Sequence, residues 1–452
     1  MKAINPTTNE VIREYEEHSS EEIHHILELA DHSFKSWRLN EFADRSDLMH
    51  SAAGVLRDNA EKYARLITVE MGKIITEARA EVEKCAWVCD YYADKAEEFL
   101  DDEIIETDAS RSLVSFEPLG VVLAVMPWNF PFWQVIRFIA PAMMAGNACV
   151  LKHASNVPGC ALAIEEVFRE AGFPPNLFRT LMIPSKAVDE VIKSDYVRAV
   201  TLTGSELAGS RVASSAGREL KKTVLELGGS DAFIVLEDAN IEKCVATSVK
   251  SRMINAGQSC IAAKRCIVVE PVLSQFENEH ARLIQSLKIG DPLLEDTQVG
   301  PLARMDLLED LDRQVRKSIE KGAKLLCGGK RAGLSGAFYL PTVLSSVQKG
   351  MPVFDEETFG PVSAIIPAKD AEDAVAIAND SPLGLGASIW SEDTDQAEFI
   401  ARSIESGSVF INGMVKSDPR LPFGGIKKSG YGRELSHYGI REFVNIKTIW
   451  IA

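Results

Sequence analysis

Apolar positions in the first hundred residues recur at helical spacing. In SSEEIHHILELADHSFKSW, Ile23, Ile26, Leu27, Ala30, Phe34 and Trp37 fall on one face behind a Ser-Glu opening of capping-box form, which predicts a helix. Residues 41–73 and 75–100 carry the same amphipathic period and are predicted helical. Around Ser112–Phe116 the period shortens to that of a strand. From residue 120 onward, short β-rich apolar runs alternate with helical segments. VVLAVMP is a predicted strand, Gln134–Ala145 a helix, ACVLK a strand, Gly159–Ala171 a helix and LMI (181–183) a short strand. AVTLT is a strand feeding a helix from Ser205, and TVLEL and AFIVL continue in the same style. This alternation predicts parallel βαβ units, hence an α/β fold. A second alternating block spans residues 260–412, and neither a fixed repeat nor a Ser/Gly linker separates the blocks, so the predicted domains abut.

Composition narrows the class. A chain of 452 residues is long enough for about three domains. Hydrophobic residues at 46% and charged residues at 25% are ordinary for a globular protein and exclude a disordered or collagen-like chain. A net charge of −17 disfavours a protein whose task is to grip nucleic acid or anionic lipid. The strongest apolar stretch, Val121 to Met126, is far too short to span a bilayer, and no apolar run follows the N-terminal lysine as a signal peptide requires. The eight cysteines are scattered, which reads as reduced thiols in a cytoplasmic protein. Cys85 and Cys89, four apart on a predicted helix, read as core packing; with no second Cys or His pair nearby, no metal site is expected.

Several segments carry residue types suited to chemistry. Cys260 in NAGQSCIAAKR follows Gly257 and small or polar neighbours, with Lys264 and Arg265 close enough in sequence to favour a thiolate. Alone, such a cysteine is more often a small core residue. Glu226 in TVLELGGSDAF ends an apolar strand ahead of two glycines, where ligands bind in α/β proteins, and partial burial would tune it as a general base. Asn129 in MPWNFPFW lies between aromatics after a buried strand, where a side-chain amide can stabilise an oxyanion. No GxGxxG opens a helix, but Thr203-Gly204-Ser205 joins a strand to a helix whose N-terminus can hold a pyrophosphate. Lys152 stands at another strand end, and Glu357 precedes Phe359-Gly360-Pro361 in a loop.

Taken in order, WNFP, LELGGSD, GQSC, EETFGP and LPFGGIKKSGYGRE resemble the aldehyde dehydrogenase superfamily, and the resemblance runs from NPTTNEVI to EFVNIKTIW. Within it the chain most resembles succinate-semialdehyde dehydrogenases, through KHASN and GQSCIAAKR. The resemblance implies a Rossmann-type cofactor domain (1–105 and 119–226), an α/β catalytic domain (227–430) and a small β-rich oligomerisation arm (106–118 and 431–452), assembled as a homodimer or homotetramer. It implies Cys260 as nucleophile, Glu226 as general base and Asn129 as oxyanion donor with the Cys260 backbone N–H. Cofactor contacts are implied for Trp128, Lys152, Ser155, Thr203, Gly204, Ser205, Leu227, Glu357 and Phe359.

Semialdehyde members carry a carboxylate-binding arginine eight positions after the asparagine and a substrate-contacting serine, which fall here on Arg137 and Ser417. A second arginine of some members falls on Ile254, so Arg252 or Lys264 would have to compensate. The partner thiol of redox-switched members falls on Ala262, so no such switch is expected. NAD-specific members often have glutamate at position 155. A serine there removes the repulsion of a 2′-phosphate, so NADP is expected to be preferred, with NAD as the weaker cofactor. Other semialdehydes or aliphatic aldehydes remain as substrates, and a Cys260-Glu226-Lys152 amide or nitrile hydrolase is the rival from another class. A CoA-acylating dehydrogenase typically lacks the base glutamate, which Glu226 supplies here.

Overall fold

A computed structural model describes residues 1–452. Helices dominate its first quarter. Helix Ser20–Trp37 begins with a reciprocal capping box in which the Ser19 side chain accepts from the Glu22 N–H and the Glu22 carboxylate accepts from the Ser19 N–H. The stretch 41–73 is two helices, Phe42–Asp58 and Ala60–Met71, because the backbone of Asn59 leaves helical geometry between them. Helix Ile75–Leu100 follows, burying Ala78, Val82, Cys85 and Cys89 in the core. A short antiparallel hairpin, Lys2–Ile4 with Val11–Glu14, precedes all of these; its second strand is wholly exposed and has no apolar alternation to announce it.

Two mixed sheets follow. The first has six strands in the order Gly430–Tyr431, Lys222–Glu226, Val197–Thr203, Val121–Met126, Ala148–His153 and Phe178–Thr180, parallel except for the first. The expected strand at 181–183 lies instead at Phe178–Thr180. Leu181, Met182 and Ile183 are buried, but the register against Cys149–Leu151 places the ladder on 178–180, so the apolar run reports burial rather than pairing. The chain starts in the middle of this sheet at Val121–Met126, moves to one edge and returns to add Val197–Thr203 on the other side. A crevice therefore opens between the C-terminal ends of these two strands, the place where open α/β sheets bind ligands.

The second sheet has seven strands in the order Lys324–Cys327, Thr342–Ser345, Val362–Ala368, Arg265–Val269, Ala232–Val235, Gly386–Trp390 and Ser408–Ile411. Period-two alternation sends Ala232 and Ile234 into one apolar cluster and Phe233 and Val235 into another, so both faces are covered. A third sheet pairs Val444–Ile451 with Arg111–Pro118 and, beyond it, Glu103–Ile104. No helix is long and apolar enough to cross a membrane.

Candidate active site

The crevice is furnished by the turns that end its strands. After Val121–Met126 the chain turns through Pro127–Phe132, a turn held by His153. One His153 nitrogen lies 2.9 Å from the Pro131 carbonyl, and the other accepts from the Ala154 N–H at 2.9 Å. Burial pushes this imidazole down to about 4, so it stays neutral and serves one donor and one acceptor. Asn129 is buried within the turn. Its amide donates to the Gln258 carbonyl at 3.0 Å and accepts from Gln134 at 3.1 Å, so its orientation is set from both sides. Strand Val197–Thr203 ends at Gly204, and Ser205 caps helix Glu206–Arg218 by accepting from the Ala208 N–H.

A cavity of about 590 Å³ brings Trp128, Asn129, Thr203, Gly204, Ser205, Leu227, Cys260, Glu357 and Phe359 together. The Phe359 ring meets Trp128 edge-on at 5.8 Å. The Glu357 carboxylate accepts from the Gly229 N–H at 3.1 Å and pairs with Lys264 at 3.3 Å. Gly228 leaves room for this carboxylate: a Cβ there would lie 2.3 Å from a Glu357 oxygen and push the side chain aside. The cleft combines a helix N-terminus, small residues that allow close approach and the Glu357 carboxylate, a setting suited to a dinucleotide.

Cys260 reaches this cavity from the second half of the chain. Just before it, Asn255, Ala256 and Gly257 are all left-handed, a rare run for L-residues. Asn255 is held there by its N–H to Glu77 at 2.8 Å and its side-chain amide to the Asn129 carbonyl at 2.7 Å. Gly257 passes so near the Gly360 carbonyl that a Cβ would sit 2.1 Å from its oxygen. Lys264 fastens the other side of the loop, donating to the carbonyls of Ser259 and Cys260 at 2.7 Å each. Arg265 points away, to the carbonyls of Ser230, Ile377 and Ala378, and so contributes nothing to the thiol. The Cys260 N–H makes no backbone hydrogen bond and is free to donate. Burial pushes the thiol up to about 12, offset in part by Lys264 and Arg137.

Glu226 ends the strand Lys222–Glu226 and lines neither cavity that touches Cys260. Both carboxylate oxygens are buried without a hydrogen-bond partner. Its carboxyl is raised well above the usual range, first by burial and then by the neighbouring carboxylate of Glu434. Glu434 is itself ion-paired with Arg137 inside the protein. This Glu226–Glu434–Arg137 cluster was not legible in the sequence, because Glu434 lies in SGYGRE, some two hundred residues from Glu226.

On the far side of Cys260 a second cavity, about 880 Å³, is lined by Arg137, Trp133, Ser417, Ile254 and Phe423, and by Lys84 on helix Ile75–Leu100. Arg137 and Ser417 line this cavity together with Cys260, and Ile254 faces the same space. Neither Arg252 nor Lys264 compensates for Ile254. Arg252 is pinned on the carbonyls of Val362, Gly257, Thr358 and Gly360, and Lys264 on its own loop, because buried cations there satisfy orphan carbonyls rather than face the cavity. Lys84 was missed. Its signal was a lysine beside the apolar positions of an amphipathic helix, which reads as solvated until the partner elements are known.

Lys152 and Ser155 lie apart from the thiol. Lys152 is buried at the end of strand Ala148–His153, and its Nζ donates to Ser185 at 3.3 Å. Ser155 is exposed, lining a surface cavity with Asn156, Ser185 and Arg304. It does not cap the following helix, whose N-cap is Val157.

The chain matches the model of the aldehyde dehydrogenase family over residues 1–449. It is 53% identical over 452 residues to a probable succinate-semialdehyde dehydrogenase [NADP(+)] of Synechocystis, covering all of both chains. It is 46% identical to the succinate-semialdehyde dehydrogenase [NADP(+)] of Mycobacterium leprae, again covering all of both chains. It superposes with a TM-score of 0.98 on the crystal structure of succinic semialdehyde dehydrogenase from Streptococcus pyogenes in complex with NADP+, at 41% identity, covering 100% of this chain and 99% of that one. A cysteine standing between a dinucleotide cleft and a second cavity, at these identities along the full length, places this chain in the aldehyde dehydrogenase family.

Proposed function

We propose that this protein oxidises succinate semialdehyde to succinate, with NADP as preferred cofactor and NAD as the weaker one. The observation that carries the reading is the position of Cys260 between the dinucleotide cleft and a cavity walled by Lys84 and Ser417, groups that suit a carboxylated aldehyde, with Arg137 beside them on its own partner Glu434. The full-length relatives named for this substrate and cofactor support it. The hydrolase alternative is disfavoured, because Lys152 bonds Ser185 and lines neither cavity that holds Cys260, so no Cys-Glu-Lys triad assembles.

In this reading the Cys260 thiol gives its proton to water in the cavity, its sulfur bonds the aldehyde carbon and the carbonyl π pair moves to the oxygen, forming a thiohemiacetal oxyanion. Asn129 and the free Cys260 N–H donate to the oxyanion. Trp128, Thr203, Gly204, Ser205, Leu227, Glu357 and Phe359 hold the nicotinamide end and pyrophosphate of the cofactor, which accepts the hydride when bound. A thioester remains on Cys260. Glu226 swings from its buried position to take a proton from water, whose oxygen adds to the thioester carbon; the C–S bond breaks and the carboxylate leaves. Lys152 and Ser155 address the adenosine ribose and its 2′-phosphate.

The same reading assigns 1–105 and 119–226 to cofactor binding, 227–430 to catalysis, and 106–118 with 431–452 to an oligomerisation arm. Strand Val444–Ile451 is an edge strand exposing Ile446, Ile449, Trp450 and Ile451, which suits assembly into a homodimer or homotetramer. Eight unpaired cysteines suit a reducing compartment such as the cytoplasm.

The test is a panel of succinate semialdehyde, glutarate semialdehyde and butanal, each assayed with NADP and NAD. The highest kcat/KM is expected for succinate semialdehyde with NADP; absence of cofactor reduction with every aldehyde would reject the reading. In the same assay Ser155→Glu should lower the NADP-to-NAD ratio of kcat/KM by roughly tenfold or more, through repulsion of the 2′-phosphate. An unchanged ratio would relieve Ser155 of that role.

Glu434 adds to the pH dependence that the burial of Glu226 creates. Its negative charge helps to hold the Glu226 carboxyl high, and a base works only once deprotonated, so activity rises as pH climbs through the Glu226 pKa. Glu434→Gln removes that repulsion and frees Arg137 to attract the carboxylate, so the acid limb of the kcat profile for butanal should move to lower pH. A limb that stays put or moves upward would show that Glu226 does not limit it.

A further inference from the structure

The helix Ile75–Leu100 presents Glu77, Glu81 and Lys84 to the substrate-side cavity at spacings of four and three, which stack on one face. Glu77 and Lys84 stand two turns apart, about 10 Å along the axis. The two ends of this stripe differ in charge. At one end Glu77 accepts from the Asn255 N–H, beside Ile254. Burial holds its carboxyl up at about 7, so a substrate carboxylate placed here would meet an apolar side chain and a second acid. In the middle Glu81 is already committed: it is ion-paired with Lys73 and accepts from the backbone N–H groups of Phe132 and Trp133.

At the other end Lys84 has no carboxylate partner. Its Nζ donates to the Ser417 oxygen at 2.8 Å and lies 4.0 Å from the Trp133 ring centroid. Trp133 Nε1 donates to the same serine oxygen at 3.1 Å. The nearby acid Asp418 is taken by Arg420 at 2.7 and 2.8 Å, and Lys416 on the same segment adds positive charge. Arg137, the cation expected from sequence to receive a carboxylate, is ion-paired with Glu434 and stacks over Phe423. Ser417 therefore accepts from both the ammonium and the indole N–H, and its own hydroxyl proton and the remaining ammonium protons are still to be donated. A donor set of this kind fits an anion.

We propose that Lys84, with Ser417 and Trp133, binds the distal carboxylate of the substrate and makes this pocket select ω-carboxylated aldehydes over uncharged ones, in place of the second arginine that Ile254 precludes. This rests on the semialdehyde reading above. Partial desolvation of the ammonium, which lowers it to about 8 with help from Arg137, also strengthens its attraction for an anion.

The test compares succinate semialdehyde with butanal in wild type, Lys84→Met and Lys84→Gln, with thermal unfolding run alongside. Both variants should lose kcat/KM for the semialdehyde by roughly 30-fold or more, mainly through KM, while butanal stays within about twofold. The glutamine keeps a donor to Ser417, so an equal loss in both variants assigns the effect to charge. If wild type prefers the semialdehyde and either variant keeps that preference, Lys84 is not the anchor, and the substrate reading stands without it. If both aldehydes fall together, Lys84 only props up the cavity wall and the proposal fails. If wild type itself shows no preference for carboxylated aldehydes, the substrate reading and the Lys84 assignment fall together.

Discussion

Cys260→Ala is expected to end aldehyde-dependent cofactor reduction, lowering kcat by a factor on the order of 10⁴ or more, while the protein still folds and binds cofactor. The loss is large because no other sulfur can substitute. Six of the remaining seven cysteines are buried, and Cys327 lies on the edge strand of the second sheet. No other thiol lines either cavity that touches Cys260. The fold should survive because Cys260 is only partly buried and its loop is fastened by other atoms. Lys264 grips the backbone carbonyls, and Asn255 anchors the left-handed turn to Asn129. A shift of about 1 kcal/mol or less in stability is expected from removing the sulfur. Turnover, thermal unfolding and equilibrium titration with cofactor check the three parts separately. Substantial residual turnover would require another nucleophile and would overturn the assignment.

Glu226→Gln should separate the two halves of the reaction. Hydride transfer needs the thiohemiacetal but not a water-activating base, so a rapid burst of reduced cofactor should persist. Steady-state turnover, limited by thioester hydrolysis, should fall by about 10²–10⁴. The substitution is nearly isosteric and replaces a carboxyl already buried without partners and raised by Glu434, so it should not destabilise the fold. Removing an acid from a crowded buried pair relieves repulsion where the glutamate would ionise. Rapid mixing with excess enzyme measures the burst directly. Loss of the burst would mean that Glu226 also takes the Cys260 proton, and an unchanged steady state would remove it from the mechanism.

Much of this protein is visible before it folds. Strand Val121–Met126 and helix Ser20–Trp37 follow from apolar spacing, because burial on one or two faces imposes a period that the chain must carry locally. The break at Asn59 and the shift of a strand from 181–183 to 178–180 did not, since the first turns on one residue's backbone angles and the second on ladder register against a neighbour. Cys260, Asn129, Ser205 and Glu357 stand in short segments of distinctive composition, each combining a polar group with the glycines or prolines that let backbone and ligand approach closely. These could be picked out singly, and the order of their motifs joined them.

What the tertiary structure alone decided is which charges are already spent. Arg137, Arg252 and Lys264 look interchangeable as cations in the chain. Folded, Arg137 is paired with Glu434, Arg252 and Lys264 are consumed by carbonyls, and Lys84, on a helix hundreds of residues away from Ser417, keeps its charge for the cavity. The reason is physical. Apolar periodicity is a local property of the chain, whereas the partner of a buried charge is whichever group the packing of distant elements brings within about 3 Å, and no window of sequence contains that distance.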